Sequence, residues 1–102
     1  MIIYEVNLKV KPEIATYFKI WLNNHINQML DLDGFEKADW FELYEADETK
    51  EKFYCIHYHV RDKKALNDYF KNQAEEMRDD GIRHFGDQFS AKRRILIEVK
   101  RL

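Results

Sequence analysis

The sequence predicts an α+β fold: one antiparallel four-stranded sheet with two helices on one face, in the order βαββαβ. Two observations predict it. Hydrophobic residues alternate at the start, recur at helical spacing, alternate in two further runs, return to helical spacing and alternate again at the end. The length of 102 residues fits a single domain, 1–102, and leaves no room for a second core. This order covers one sheet face with helices and leaves the other bare. A bare apolar face calls for a partner, so a homodimer is expected.

The first strand places Ile2, Tyr4, Val6, Leu8 and Val10 on one face and Ile3, Glu5, Asn7 and Lys9 on the other. The apolar set should meet the helices. Lys11-Pro12-Glu13 reads as a helix start, because proline loses no hydrogen bond in the first turn and the acid complements the helix dipole. The stripe Ile14, Phe18, Trp21, Leu22, His25, Met29 follows, and Asp33-Gly34 ends the helix. Phe35 to Glu45 reads as a strand of mixed parity, with Phe35, Phe41 and Leu43 opposed to Ala38, Trp40 and Tyr44, so neither face is marked as the inner one. Ala46 to Lys50 is a polar hairpin loop, and Phe53 to Val60 returns with Tyr54, Ile56, Tyr58 and Val60 on one face. Asp62 caps a second helix with the stripe Leu66, Tyr69, Phe70, Gln73, Ala74, Met77, stopped at Gly86. Phe89 to Val99 completes the sheet, and Lys92, Arg93, Arg94, Lys100 and Arg101 read as charges that protect an edge strand.

Composition excludes several function classes. A net charge of −2 argues against a nucleic-acid partner, which usually draws a basic excess. No apolar run is long enough to span a bilayer, so no membrane partner is expected. The lone Cys55 can form no internal disulfide, and the beginning of the chain lacks the pattern of a signal peptide; both point to the cytoplasm. Phosphate loops, nucleophile elbows and paired Cys-x-x-Cys motifs do not occur, and no cofactor is called for.

Two constellations remain. Helical phase puts His25 near the middle of its stripe, facing the sheet, where desolvation keeps an imidazole neutral and fit to serve as a base or a donor. Trp21 lies one turn earlier as a flat wall. Gln73 holds the equivalent place on the second helix, and Tyr58 projects from the third strand, so a pocket for a small ligand would be lined by Trp21, His25, Tyr58 and Gln73. The alternative is a core in which His25 and Gln73 bond backbone carbonyls or each other. On the third strand, Cys55, His57 and His59 share the bare face. The first and third strands should be central neighbours, which sets Glu5 and Asn7 beside His57 and His59. A zinc site there would lack defined third and fourth ligands, so no metal is assigned. A dimer interface of Ile3, Glu5, Asn7, Phe53, Cys55, His57 and His59, with a carboxylate–imidazole bond inside it, is preferred.

Taken together, Ile2-Ile3-Tyr4, Trp21-x-x-x-His25-Ile26, Gly34-Phe35, Tyr58 and Arg83-His84-Phe85-Gly86-Asp87-Gln88-Phe89 resemble a family of short bacterial domains of unknown function. That family is similar to the dimeric α+β barrels, ferredoxin-like domains that include cofactor-independent antibiotic-biosynthesis monooxygenases and small isomerases. The resemblance implies a homodimer with a ligand cavity between helices and sheet in each subunit. It transfers no chemistry, and the Asn, Trp and His set of the monooxygenases is not reproduced, since Asn7 falls on the bare face. Three functions stay open: a homodimer binding a small aromatic or acyl ligand, a monooxygenase- or isomerase-like enzyme with His25 as base, and an interaction protein without a ligand.

Overall fold

The structure is a computed structural model, which describes residues 1–44 and 50–102. Most of the hairpin loop expected over Ala46 to Lys50, and the expected strand end at Glu45, lie outside the described residues. Strand β1 (Ile2–Val10) pairs antiparallel with β3 (Lys52–Val60) at the centre of the sheet, flanked by β2 (Phe35–Glu42) and β4 (Phe89–Ile97), in the order β2-β3-β1-β4. The two central strands are neighbours, as the sequence implies, because each has one face of apolar residues that alternation brings to the same side. Tyr4, Leu8 and Val10 of β1 are buried with Tyr54, Ile56, Tyr58 and Val60 of β3.

Helix α1 (Ala15–Leu30), preceded by a 3-10 turn at Pro12–Ile14, buries Phe18, Leu22, Ile26 and Met29 against this layer. The stripe is therefore phased past His25. Ile26 takes the inward place and His25 stands half-buried on its flank beside Trp21. Gly34 ends the connection at φ +84° and accepts at its carbonyl from Arg61 N at 2.8 Å; an added Cβ would overlap the Cβ of Ala65.

The mixed parity of β2 resolves into a bulge. Phe35 pairs with Val60 but Lys37 with His59, so Glu36 is an extra residue in the ladder. The bulge reverses which alternate residues face inward, and Phe35, Ala38 and Trp40 all turn to the helices while Phe41 is left on the bare face.

The second expected helix is two helices. Asp62 caps α2 (Lys63–Asn72), its Oδ1 accepting from Ala65 N at 2.9 Å. Asp62→Ala is expected to cost about 1 kcal/mol in urea denaturation, the usual loss when an N-cap oxygen is removed. At Gln73, φ −127° and ψ −23° leave the helical region, and α3 (Ala74–Phe85) begins with a new phase. Among the described residues no helix is long and apolar enough to cross a membrane.

Candidate functional site

A cavity of about 520 Å³ opens between α1, α3 and the covered face of the sheet, within the range of small-molecule sites. Trp21, His25 and Tyr58 line it, as expected from the sequence. Gln73 does not, because the break between α2 and α3 takes it out of the stripe that a continuous helix would have given it. Its place is filled by Arg78, which the sequence reading missed. The available signal was helical spacing counted from Ala74: Ala74, Met77, Arg78, Gly81 and Phe85 form a stripe with a cation inside it.

Trp21 is held on both sides. Its Nε1 donates to Asp80 Oδ2 at 2.9 Å, and its ring stacks on His25 with centroids 4.7 Å apart and planes 18° apart. Gly81 makes room for it: a Cβ there would lie 3.0 Å from Trp21 Cη2 and 3.2 Å from Phe89 Cζ, closer than packed carbons sit. Asp80 is held below the usual carboxylate range, first by the Trp21 bond.

Burial is the main force on His25, lowering its pKa to about 4; the charge of Asp80 opposes this and that of Arg93 adds to it. Desolvation penalises the charged ring, so the imidazole is neutral at neutral pH. NMR titration is expected to show His25 gaining its proton near pH 4; a midpoint at the ordinary 6.5 would mean that water reaches the ring freely. Among the described residues, the buried side-chain nitrogens without a hydrogen-bond partner are His25 Nδ1 and Arg78 Nε, and both residues line this cavity. Arg78 Nη2 donates to Tyr4 Oη at 3.2 Å.

The bare sheet face carries the second constellation. Ile3, Glu5 and Asn7 lie there with Phe53, Cys55, His57 and His59, in the register Ile3↔His59, Glu5↔His57, Asn7↔Cys55. Glu5 thus meets His57 as expected, whereas Asn7 faces Cys55, and His59 turns to β2, its Nε2 donating to Asp39 Oδ2 at 2.8 Å. Glu5 is 4% exposed and fully engaged. Its Oε1 accepts from Arg94 Nε at 2.6 Å and Asn7 Nδ2 at 2.8 Å, and its Oε2 from His57 Nε2 at 2.8 Å. The Arg94 bond leads in holding the Glu5 pKa at about 2, against the opposing effect of burial. Arg94 is therefore a partner to Glu5 rather than a free edge charge, and Arg93, two-strand register with Val6, faces the helix side.

Glu5, Cys55 and His57 bring potential ligand atoms within 4.8 Å of one another. Both Glu5 oxygens are already bonded, one of them to a guanidinium standing where a metal ion would compete, so the set fits an ion pair better than a metal centre. Burial and the Glu5 charge push the Cys55 thiol up, which keeps it protonated and a poor metal ligand at neutral pH. Beside this network the face opens into an apolar groove of about 530 Å³ formed by Phe41, Leu43, Tyr44 and Phe53. The bulge in β2 hid the side taken by Phe41 and Leu43 from sequence reasoning, and Tyr44 lies beyond the end of that strand.

The family model described as Domain of unknown function (DUF4286) matches residues 1–99. No curated protein matches the chain. Solved structures do. One from Deinococcus radiodurans, provisionally described as an antibiotic biosynthesis monooxygenase, is 16% identical with a TM-score of 0.74, covering 100% of this chain and 96% of its own. SnoaB from Streptomyces nogalater, described as a cofactor-independent oxygenase, is 12% identical with a TM-score of 0.65 over 99% of this chain and 96% of its own. A dimeric ferredoxin-like protein from an uncultured marine organism is 7% identical with a TM-score of 0.62 over 99% of this chain and 97% of its own. At such identities the likeness is one of fold, and the fold is ferredoxin-like.

Proposed function

The chain belongs to the domain-of-unknown-function family DUF4286, and from that premise we propose that it is a cytoplasmic homodimer whose subunits each bind a small aromatic or acyl ligand between helices and sheet. One observation carries the ligand reading: the two buried nitrogens without partners, His25 Nδ1 and Arg78 Nε, belong to residues of one cavity. Buried polar groups are nearly always satisfied, and two polar residues with an unmet bond on the wall of one apolar space mark it as suited to a ligand with polar atoms. Trp21 supplies the flat wall.

The test is a titration of a Trp40→Phe variant, which leaves Trp21 as the emitter among the chain's 2 tryptophans. Neutral 2-naphthamide and octanamide serve as aromatic and acyl probes. A saturable change in Trp21 emission, weakened in Gly81→Val where the new side chain crowds the indole, is the expected result. No change with either probe or with the matching carboxylates, 2-naphthoate and octanoate, removes the ligand reading.

A second reading, a monooxygenase- or isomerase-like enzyme with His25 as base, draws on the neutral imidazole and on the cofactor-independent oxygenase among the structural neighbours. A ring whose pKa is lowered to about 4 is a weak proton acceptor, which favours binding over catalysis. His25→Ala separates the two, abolishing turnover in an enzyme and only weakening affinity in a binder.

The homodimer is supported by Phe41, Leu43 and Phe53 on the bare face, between 39% and 58% exposed, and by the neighbour described as dimeric. Light scattering is expected to give twice the 12.5 kDa chain mass, and Phe53→Glu, which would bury a carboxylate in the interface, to give the single mass. A monomer from the wild-type chain at micromolar concentration would overturn the pairing.

A further inference from the structure

The guanidinium of Arg78 is half-buried on α3, and among the described residues no carboxylate bonds to it. Its contacts are the Tyr4 hydroxyl and the Phe70 ring, 6.0 Å from the guanidinium carbon. Both are neutral or weakly polar. Cations withdrawn from water are normally matched by an anion, because the lost hydration is otherwise uncompensated. The neighbouring phenol of Tyr69 does not supply one: burial pushes it up, away from ionisation.

The cavity as a whole has the same imbalance. Its lining carries Arg78 and Arg93 against a single acid, Asp87, which is exposed, while the hydrogen bond of Arg78 goes to Tyr4. Asp80, the nearest acid to the indole, is engaged by Trp21 at one oxygen and by Arg83 at the other. A positive site is thus set into walls of tyrosine, tryptophan and aliphatic side chains. We propose that the ligand is a flat apolar carboxylate, its anionic head taken by Arg78 and its body lying along Trp21 and the sheet tyrosines. This rests on the cavity-binding reading and narrows it to one charge class. Arginine suits the head because its planar donors match a carboxylate and stay charged at every working pH.

The experiment compares 2-naphthoate with the isosteric neutral 2-naphthamide by calorimetry and by amide-shift perturbation on the wild-type chain. The acid is expected to bind at least about 10-fold more tightly, the difference that one charge-assisted contact makes. In Arg78→Met the preference is expected to vanish, and in Arg78→Lys to return in part. Equal binding of acid and amide overturns the anion assignment while leaving the cavity reading intact. Failure of both probes to bind removes the cavity reading itself. Tighter binding of 2-naphthyl phosphate than of the acid would overturn the carboxylate in favour of a phosphate ester. Because the acid–amide comparison uses the unaltered chain, it stands even if Arg78→Met fails to fold.

Discussion

Phe18→Ala is expected to lower the free energy of unfolding by about 4 kcal/mol, the range for deleting a fully buried aromatic side chain. Phe18 is 0% exposed and joins several elements at one point. Its ring centroid lies 5.1 Å from those of Phe85 and Phe89, 5.4 Å from Trp21 and 6.4 Å from Tyr54. Removal therefore loosens α1, α3, β3 and β4 together, and the surrounding rings cannot close the gap by a small shift, since each is anchored in a different element. Phe18→Leu keeps most of the volume and should cost less than about 1.5 kcal/mol. Urea denaturation of both variants at equal protein concentration checks this, the concentration being held because self-association would shift the midpoint. A cost below that of Phe18→Leu would mean that the aromatic cluster is not the mechanical centre of the domain. The same variant should blunt ligand binding, since Phe18 backs the indole that walls the cavity.

Glu5→Gln is expected to cost about 2 kcal/mol at pH 7, after allowance for the screening that water gives its exposed partner Arg94. The sign of its pH dependence follows from direction alone. The folded state holds the Glu5 pKa at about 2, against an ordinary 4.5, so between these values the unfolded chain binds the extra proton and folding is opposed. The contribution is complete above pH 4.5 and is lost as the pH falls toward 2. Stability curves of wild type and variant should therefore lie apart at neutral pH and converge in acid. Parallel curves throughout would show that the Arg94, Asn7 and His57 bonds do not select the ionised carboxylate. Glutamine can still accept a bond from Arg94 or from Asn7, which is why the cost stays below that of leaving a buried charge alone.

The candidate site was legible where a single element fixes it. Trp21 and His25 share one helical flank by spacing, and Tyr58 follows from alternation on β3, so their common cavity needed only the sheet to be placed beneath the helix. Glu5 opposite His57 followed from strand order and parity. Gln73 failed because a stripe counted through it assumes an unbroken helix, and the chain departs from helical dihedrals at that residue. Arg78 was hidden by the same assumption. The role proposed for it also depends on its having no carboxylate partner among the described residues, which spacing cannot reveal.

Alternation and helical recurrence determined the order of the four strands, the inner faces of β1 and β3 and the expectation of one uncovered sheet face, because backbone geometry ties those periods to sidedness within each element, and the capping chemistry of Asp62 marked where α2 starts. Tertiary structure decided what depends on two elements at once. The bulge at Glu36 set the inner face of β2, the pairing of β4 with β1 brought Arg94 to Glu5 and sent Arg93 toward the helices, and the break at Gln73 aimed Arg78 at the cavity. A register shift or a change of helical phase is chosen by the neighbour against which a segment packs. Its energy lies in contacts between distant residues, so no local period records it.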